Sequence, residues 1–252
     1  MRILIIGGDG MLGHRLFLDL AKNHVVKATL RQSVDAYQLF NIFNDHNSYF
    51  NVDLLSDEVL SHIFGEFQPE IVLNAAGIVK QRAAAKEAIA SIAINSLFPH
   101  RLASICQNFN ARLISFSTDC VFSGNRGYYA ENDIPDPLDL YGRSKLLGEI
   151  VGIENCLTLR APFYGLELAN KKGLIEWFLA QRGEIKGFSK AIYSGMTTME
   201  MSRLIDFIIT KRPQLYGLWH VASQPISKYD WLMLLAKKLN HSDITILRDD
   251  DF

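Results

Sequence analysis

A doubly wound α/β fold, in which helices cover both faces of a parallel sheet, is predicted by three observations. Short apolar runs alternate with amphipathic helical stretches over the first two-thirds of the chain. The runs are continuously apolar rather than alternating, as strands buried on both faces are. The first run passes directly into a glycine-rich turn that opens a helix. The 252 residues are 48% hydrophobic and 21% charged, the balance of a globular chain that can bury a sizeable core.

The first strand is expected over residues 3–6, and the first helix over 11–22. The apolar start is too short for a signal peptide and is ended by Gly7-Gly8-Asp9-Gly10. Strands over 25–30 and 50–53 flank residues 31–49, a stretch rich in Asn and aromatic side chains with no clear period. A short helix over 36–43 is expected there, in a loop long enough to carry function or motion. Helix 57–67, strand 71–74, helix 87–108, strand 112–117, helix 138–152 and strand 156–160 continue the rhythm. After Arg160 the pattern becomes mixed, with helices expected over 173–181, 198–210 and 228–239. Short strands are expected there over 184–187, 217–222 and 243–247. A sheet domain over 1–165 and a smaller mixed α/β lobe over 166–252, interleaved with the last sheet strands, follow from this division. No repeat or linker separates them.

Composition narrows the function classes. Lys and Arg number 26 against 27 Asp and Glu, a net charge of −1. That leaves no basic excess for nucleic acid or an anionic membrane, so neither is an expected partner. No apolar run reaches the length of a membrane span. Cys106, Cys120 and Cys156 are odd in number and widely spaced, which fits reduced thiols in a cytoplasmic protein. The seven histidines show no ligand spacing, and Asp249-Asp250-Asp251 reads as a solvated end, so no metal site is expected.

Gly7-Gly8-Asp9-Gly10-Met11-Leu12-Gly13 matches the dinucleotide fingerprint of a Rossmann fold in two registers. The backbone must turn sharply and approach a pyrophosphate without a Cβ in the way. It must also present the amides around Met11 and Leu12 at a helix N-terminus. Gly7, Gly10 and Gly13 are therefore cofactor candidates, and residues 1–165 become an NAD(P)-binding domain. The second strand ends Thr29-Leu30-Arg31-Gln32-Ser33, with no carboxylate for a ribose 2′-hydroxyl and one guanidinium for a 2′-phosphate. NADP(H) is expected as the preferred cofactor, with NAD(H) as the other candidate. Asp53, next to Leu54, is a candidate acceptor for the adenine amino group. Asn74-Ala75-Ala76 supplies small residues where a backbone can pass close to the cofactor.

The fifth strand ends in Ser117-Thr118-Asp119, and Tyr141-Gly142-Arg143-Ser144-Lys145 opens a later helix. The i, i+4 spacing stacks the Tyr141 phenol and the Lys145 ammonium on one face. A nearby cation stabilises phenolate, which lowers a tyrosine pKa toward a value useful for proton transfer. The Thr118 hydroxyl is a candidate to hold a carbonyl oxygen beside Tyr141.

Together these motifs resemble the extended short-chain dehydrogenases/reductases, and within them the dTDP-4-dehydrorhamnose reductase branch. The resemblance rests on Gly7, Gly10 and Gly13, on Asn74-Ala75-Ala76-Gly77, on Ser117 to Gly124, and on Pro137 to Glu149. It implies Tyr141 as catalytic acid/base, with Lys145 tuning it and bonding the nicotinamide ribose, and Thr118 orienting the substrate carbonyl. It implies a proton-relay role for Asn95, beside which a capping or packing role stands open. Asp119, Phe163 and Trp177 fall to the substrate side, with a core role open for Trp177, and Lys80, Arg82 and Lys190 are candidates for diphosphate contacts or for plain surface positions. Cys120 and Phe163 replace the branch's usual Tyr and Trp, which points away from dTDP-4-dehydrorhamnose, while Asn95 to His100 and Gly173 to Phe178 resemble a subgroup associated with surface-polysaccharide sugars, which implies a UDP-linked amino sugar. The implied activity is reduction of a keto group on a nucleotide-activated deoxy sugar for surface polysaccharide. The alternatives are an epimerase or dehydratase with tightly bound NAD, and a non-catalytic regulatory subunit. A homodimer through paired helices is a family habit. The usual greater length of the family raises the expectation that some C-terminal residues are missing.

Overall fold

The computed structural model describes residues 1–79, 87–169 and 171–251. Its first half runs β1 (Arg2–Ile6), α1 (Met11–Leu20), β2 (Val25–Thr29), β3 (Ser48–Tyr49), α2 (Asp57–Phe67) and β4 (Ile71–Asn74). It continues with α3 (Ala88–Ser91), α4 (Phe98–Asn108), β5 (Arg112–Ser117), α5 (Leu140–Leu147) and β6 (Cys156–Arg160). The remainder is β7 (Phe163–Tyr164), α6 (Leu174–Leu179), β8 (Gly183–Phe188), β9 (Ile192–Tyr193) and β10 (Met196–Thr197). Then come α7 (Thr198–Lys211), β11 (Gly217–His220), β12 (Ile226–Ser227), α8 (Lys228–Leu239) and β13 (Ile244–Asp249).

Seven strands form one parallel sheet in the order β11-β6-β5-β4-β1-β2-β3. The strand order reverses between β1 and β4, and a doubly wound sheet takes its ligand at that reversal, beyond the carboxyl ends of the strands. Successive residues of β1 point to opposite faces. Ile3 and Ile5 pack with Leu16 and Leu20 of α1 and Met201 and Ile205 of α7. Leu4 and Ile6 pack with Phe64 of α2 and with Phe98 and Leu102 of α4. Burial on both faces is why these strands read as unbroken apolar runs. A separate small core of Phe178, Ile185, Trp231 and Leu232 lies under the β8–β13 pair, α6 and α8.

Several elements differ from expectation. The third strand is Ser48–Tyr49 rather than 50–53, because Asn51 turns left-handed with φ of +55° and ends the extension. The short helix in the irregular stretch is a 3₁₀ segment, Val34–Phe40, closed by Asn41 at φ +51°. That stretch is anchored: Tyr37 and Phe43 are buried against Phe17 of α1. The helix expected over 87–108 is two α segments joined by a π turn, Ile92–Leu97. The helix expected over 138–152 spans only Leu140–Leu147, stopping at Gly148, where a Cβ would lie 1.9 Å from the Asn95 carbonyl oxygen.

Candidate functional site

Two clefts open along the carboxyl ends of the strands. The first, about 390 Å³, is lined by Gly7, Asp9, Gly10, Arg31, Asp53, Leu54 and their neighbours. The second, about 440 Å³, is lined by Met11, Leu12, Asn74, Thr118, Asp119, Tyr141, Lys145 and Phe163, among others. Both are bordered by Gly10, Ala75, Ala76 and Gly77, so they form one groove across the strand-order reversal.

Glycines make the crossing possible. Gly7 has φ of +78°, and a Cβ there would lie 2.9 Å from the Ala76 backbone. Gly13 lines neither cleft; a Cβ on it would meet the Gly7 carbonyl oxygen at 2.1 Å, so its role is to seat α1 against the turn. Gly10 caps α1 without a side-chain hydrogen bond, and the first turn carries no acidic residue. Its amides are thus left for an outside acceptor. Asn74 Oδ1 and Ser115 Oγ are buried with no partner among the described residues. An extended groove, an uncapped helix start and the orphaned Asn74 amide oxygen at its wall fit a dinucleotide diphosphate. Met11, Leu12, Gly7 and Gly10 are placed to hold it.

The helix carrying the tyrosine and lysine is set by local sequence. Asp139 caps α5, accepting from the Gly142 amide at 2.8 Å. Gly142 lets the helix start press on the turn after β5, since a Cβ there would sit 2.2 Å from the Cys120 carbonyl oxygen. This contact sets the Tyr141 phenol beside the Thr118 hydroxyl. Thr118 Oγ1 accepts from the Cys120 amide at 3.2 Å and donates to Asp119 Oδ1 at 3.2 Å. Lys145 Nζ donates to the Phe116 carbonyl at 2.6 Å.

The electrostatics depart from expectation. Burial pushes the Tyr141 phenol well above its usual pKa, and the Thr118 hydroxyl only partly offsets this. The same burial pulls Lys145 down to about 8, opposed by the Glu149 carboxylate. The two side chains share a helix face, yet the ammonium is aimed at a strand carbonyl and the phenol at Thr118. Desolvation of each group therefore outweighs the lowering of the tyrosine pKa that the spacing suggested.

Asn95 lies in the π turn, 1% exposed. Its Oδ1 accepts from the Ile78 amide at 2.9 Å, and its Nδ2 donates to the Ile78 carbonyl at 2.9 Å and to Ser144 Oγ at 3.1 Å. The amide therefore ties the loop after β4 to the middle of α5. Beneath it, Glu149 and Arg160 form a bidentate ion pair with both side chains 4% exposed, and Ser117 donates to Glu149 Oε1 at 2.6 Å.

Other residues divide by position. Arg31 and Asp53 are exposed on the first cleft, and Asp53 Oδ1 accepts from the Leu55 amide at 2.9 Å. Asp119 and Phe163 line the second. Trp177 does not: it packs on the small lobe core, with Lys228 Nζ 5.1 Å from its ring centre. Lys190 lies beside Asp250, away from both clefts. Lys80 and Arg82 fall outside the described residues. Among the described residues no group of three His, Cys, Asp or Glu is placed to hold a metal, and no helix is long and apolar enough to cross a membrane. Sequence reasoning missed Tyr193, which reaches the second cleft from β9 and whose phenol is raised by burial and by Asp119. It also passed over Asp9, which lines the first cleft, and the buried Tyr37 that bonds it at 2.8 Å. Asp9 lies within the glycine motif, but no local motif marks Tyr37 or Tyr193, and the Asp9–Tyr37 bond depends on a long-range approach.

Residues 1–246 match the family described as the RmlD substrate binding domain. Methionine adenosyltransferase 2 subunit beta from Bos taurus is 32% identical over 170 residues, 65% of this chain and 47% of that protein. The chain thus matches about half the length of such relatives. A dTDP-4-dehydrorhamnose reductase from Aggregatibacter actinomycetemcomitans is 26% identical over 244 residues, 93% of this chain and 78% of that protein. Among solved structures, dTDP-4-dehydrorhamnose reductase from Bacillus anthracis in complex with NADP superposes with a TM-score of 0.77 at 22% identity, covering 99% of this chain and 84% of that one. The Bordetella bronchiseptica enzyme WbmG in complex with NAD gives 0.78 at 17% identity, covering 100% and 82%. At these identities the superpositions show a shared fold.

Proposed function

Because the chain belongs to the RmlD substrate binding domain family and is of the dTDP-4-dehydrorhamnose reductase type, we propose that it reduces a keto group on a nucleotide-linked deoxy sugar. The observation that carries this reading is the meeting of Thr118, Tyr141 and Lys145 on one cleft that is continuous with the glycine cradle. A bound nicotinamide dinucleotide supplies the hydride. Tyr141 then acts as the acid, giving its phenolic proton to the developing alkoxide, and its raised pKa keeps that proton in place at neutral pH. Thr118 hydrogen-bonds the reacting oxygen, and Lys145 supplies the positive charge that stabilises the phenolate left behind. Asn95 is a positioning residue in this reading, holding α5 through Ser144. The sugar side is lined by Asp119, Phe163 and Tyr193. NADPH and NADH are both accepted as reductant, with Arg31 on the adenosine cleft favouring the former. A role in surface-polysaccharide synthesis accompanies this substrate class.

The test is oxidation of NADPH and of NADH across a set of 4-keto nucleotide sugars. Turnover with at least one is expected, and Tyr141→Phe lowers it by about a hundredfold or more while cofactor binding is retained. Full activity in that variant overturns the assignment. The identity with a methionine adenosyltransferase subunit favours a second reading, a binding subunit that uses the cleft without turnover. A stable stoichiometric protein complex with no turnover on any substrate selects it.

A further inference from the structure

The adenosine end of the groove contains an acidic group that no end-of-strand reading assigns. Asp9 sits inside the glycine turn and lines the first cleft together with Thr29, Leu30 and Arg31. Tyr37 OH donates to Asp9 Oδ2 at 2.8 Å and accepts from the Gln32 amide at 3.3 Å. One phenol therefore ties the glycine turn to the end of β2. Tyr37 is itself 4% exposed, packed edge-on to Phe43 at 5.7 Å, so the tie is made from the buried side. The phenol is pushed up to about 12 by burial and by the Asp9 charge, so it stays a donor across the physiological range. The bond uses Oδ2 and leaves Oδ1 for a ligand.

We propose that Asp9, held by Tyr37, accepts a hydrogen bond from the 2′-hydroxyl of a bound adenosine ribose and disfavours a 2′-phosphate, so that NADH rather than NADPH is the tighter cofactor. The inference rests on the nicotinamide-cofactor reading above, and it reverses the preference that Arg31 alone suggests. Two unlike groups face one ribose site. Arg31 is exposed and its guanidinium is screened by water. Asp9 is partly buried, and its carboxylate is fixed by a buried phenol. A fixed charge in a less solvated place acts more strongly on a phosphate than a solvated one does. The carboxylate that dinucleotide sites commonly place after the second strand is here supplied from the turn. The irregular stretch after β2 supplies the buried phenol that fixes it.

The test measures binding, apart from turnover, with 5′-AMP and 2′,5′-ADP as probes of the adenosine end and NADH and NADPH as whole ligands. The wild-type protein is expected to bind 5′-AMP more tightly than 2′,5′-ADP. Asp9→Asn keeps the shape of the side chain, and is expected to shift the ratio toward 2′,5′-ADP by about tenfold or more. Arg31→Ala weakens 2′,5′-ADP and leaves 5′-AMP unchanged. Should the Asn variant fail to fold, Tyr37→Phe decides, because releasing Asp9 moves the ratio the same way by a smaller factor. A wild-type preference for 2′,5′-ADP, or a ratio unmoved in the decisive variant, overturns the proposal. Dinucleotide binding without turnover on any sugar counts against the reductase reading alone, whereas turnover with an unmoved ratio counts against Asp9 alone. Failure to bind any of the four ligands overturns both.

Discussion

Lys145 shows at the scale of one residue how function opposes stability. Its ammonium is buried, held at about 8 against an ordinary 10.5, with the Phe116 carbonyl as hydrogen-bond partner. Unfolding restores the ordinary value. Between pH 8 and 10.5 the unfolded chain therefore carries more protons than the folded one, and stability rises with pH across that window. At neutral pH the charged side chain is a cost. Lys145→Met should raise the melting temperature of the cofactor-free protein at pH 7 by several degrees, less the loss of one hydrogen bond worth about 1 kcal/mol. The same variant should lose turnover. In the wild-type protein, kcat/KM should fall above pH about 8 as the ammonium in the free protein loses its proton. A flat profile to pH 9.5 would remove Lys145 from the reaction. The Tyr-Lys spacing and Thr118 were legible because they lie within short motifs. The sign of the tyrosine shift was not, because desolvation depends on what the fold places around the phenol.

Among the elements, the π turn Ile92–Leu97 is the piece on which α5 depends. Asn95 fills its side-chain amide with three hydrogen bonds, and the backbone oxygen of the same residue is where Gly148 closes the end of α5. Asn95→Ala should destabilise the protein by about 2–3 kcal/mol, since it leaves buried partners on Ile78 and Ser144 unmet. It should lower kcat more than it weakens cofactor binding. Gly148→Ala should cost about 3 kcal/mol through overpacking, with no compensating side-chain movement, because the obstacle is backbone. Thermal melts alongside single-turnover rates check both, and an Asn95 variant of wild-type stability would contradict the structure. Periodicity found the long helix over 87–108 but not its extra residue per turn. A π turn leaves the apolar pattern almost intact, and its cause lies in α5 and the loop after β4. The end of α5 was misjudged for the same reason, since Gly148 is a packing position rather than a helix breaker by composition.

For the whole molecule, the strands β1, β4, β5 and β6 could be read directly, because burial on both faces writes itself into continuous apolar runs. The lobe was harder: β7, β9, β10 and β12 are two residues each and carry no period. The route between β6 and β11 has a consequence for how the chain folds. β11 pairs with β6 only after residues 161–216 have been laid down, and that interval supplies α6, β8 and α7. All three tryptophans lie at positions 177, 219 and 231, outside the first 165 residues, so their fluorescence reports the lobe and the last sheet strand, while far-ultraviolet dichroism weights the sheet domain. The two signals should melt together in denaturant, and separated midpoints would show independent units. During synthesis, every residue of Cys156–Arg160 belongs to a strand that is fully buried in the finished protein, yet it stands as an open edge until Gly217–His220 emerges. A chain stopped at residue 165 therefore presents an unpaired apolar edge of the kind that recruits other strands, and such a fragment should aggregate where the longer chain does not.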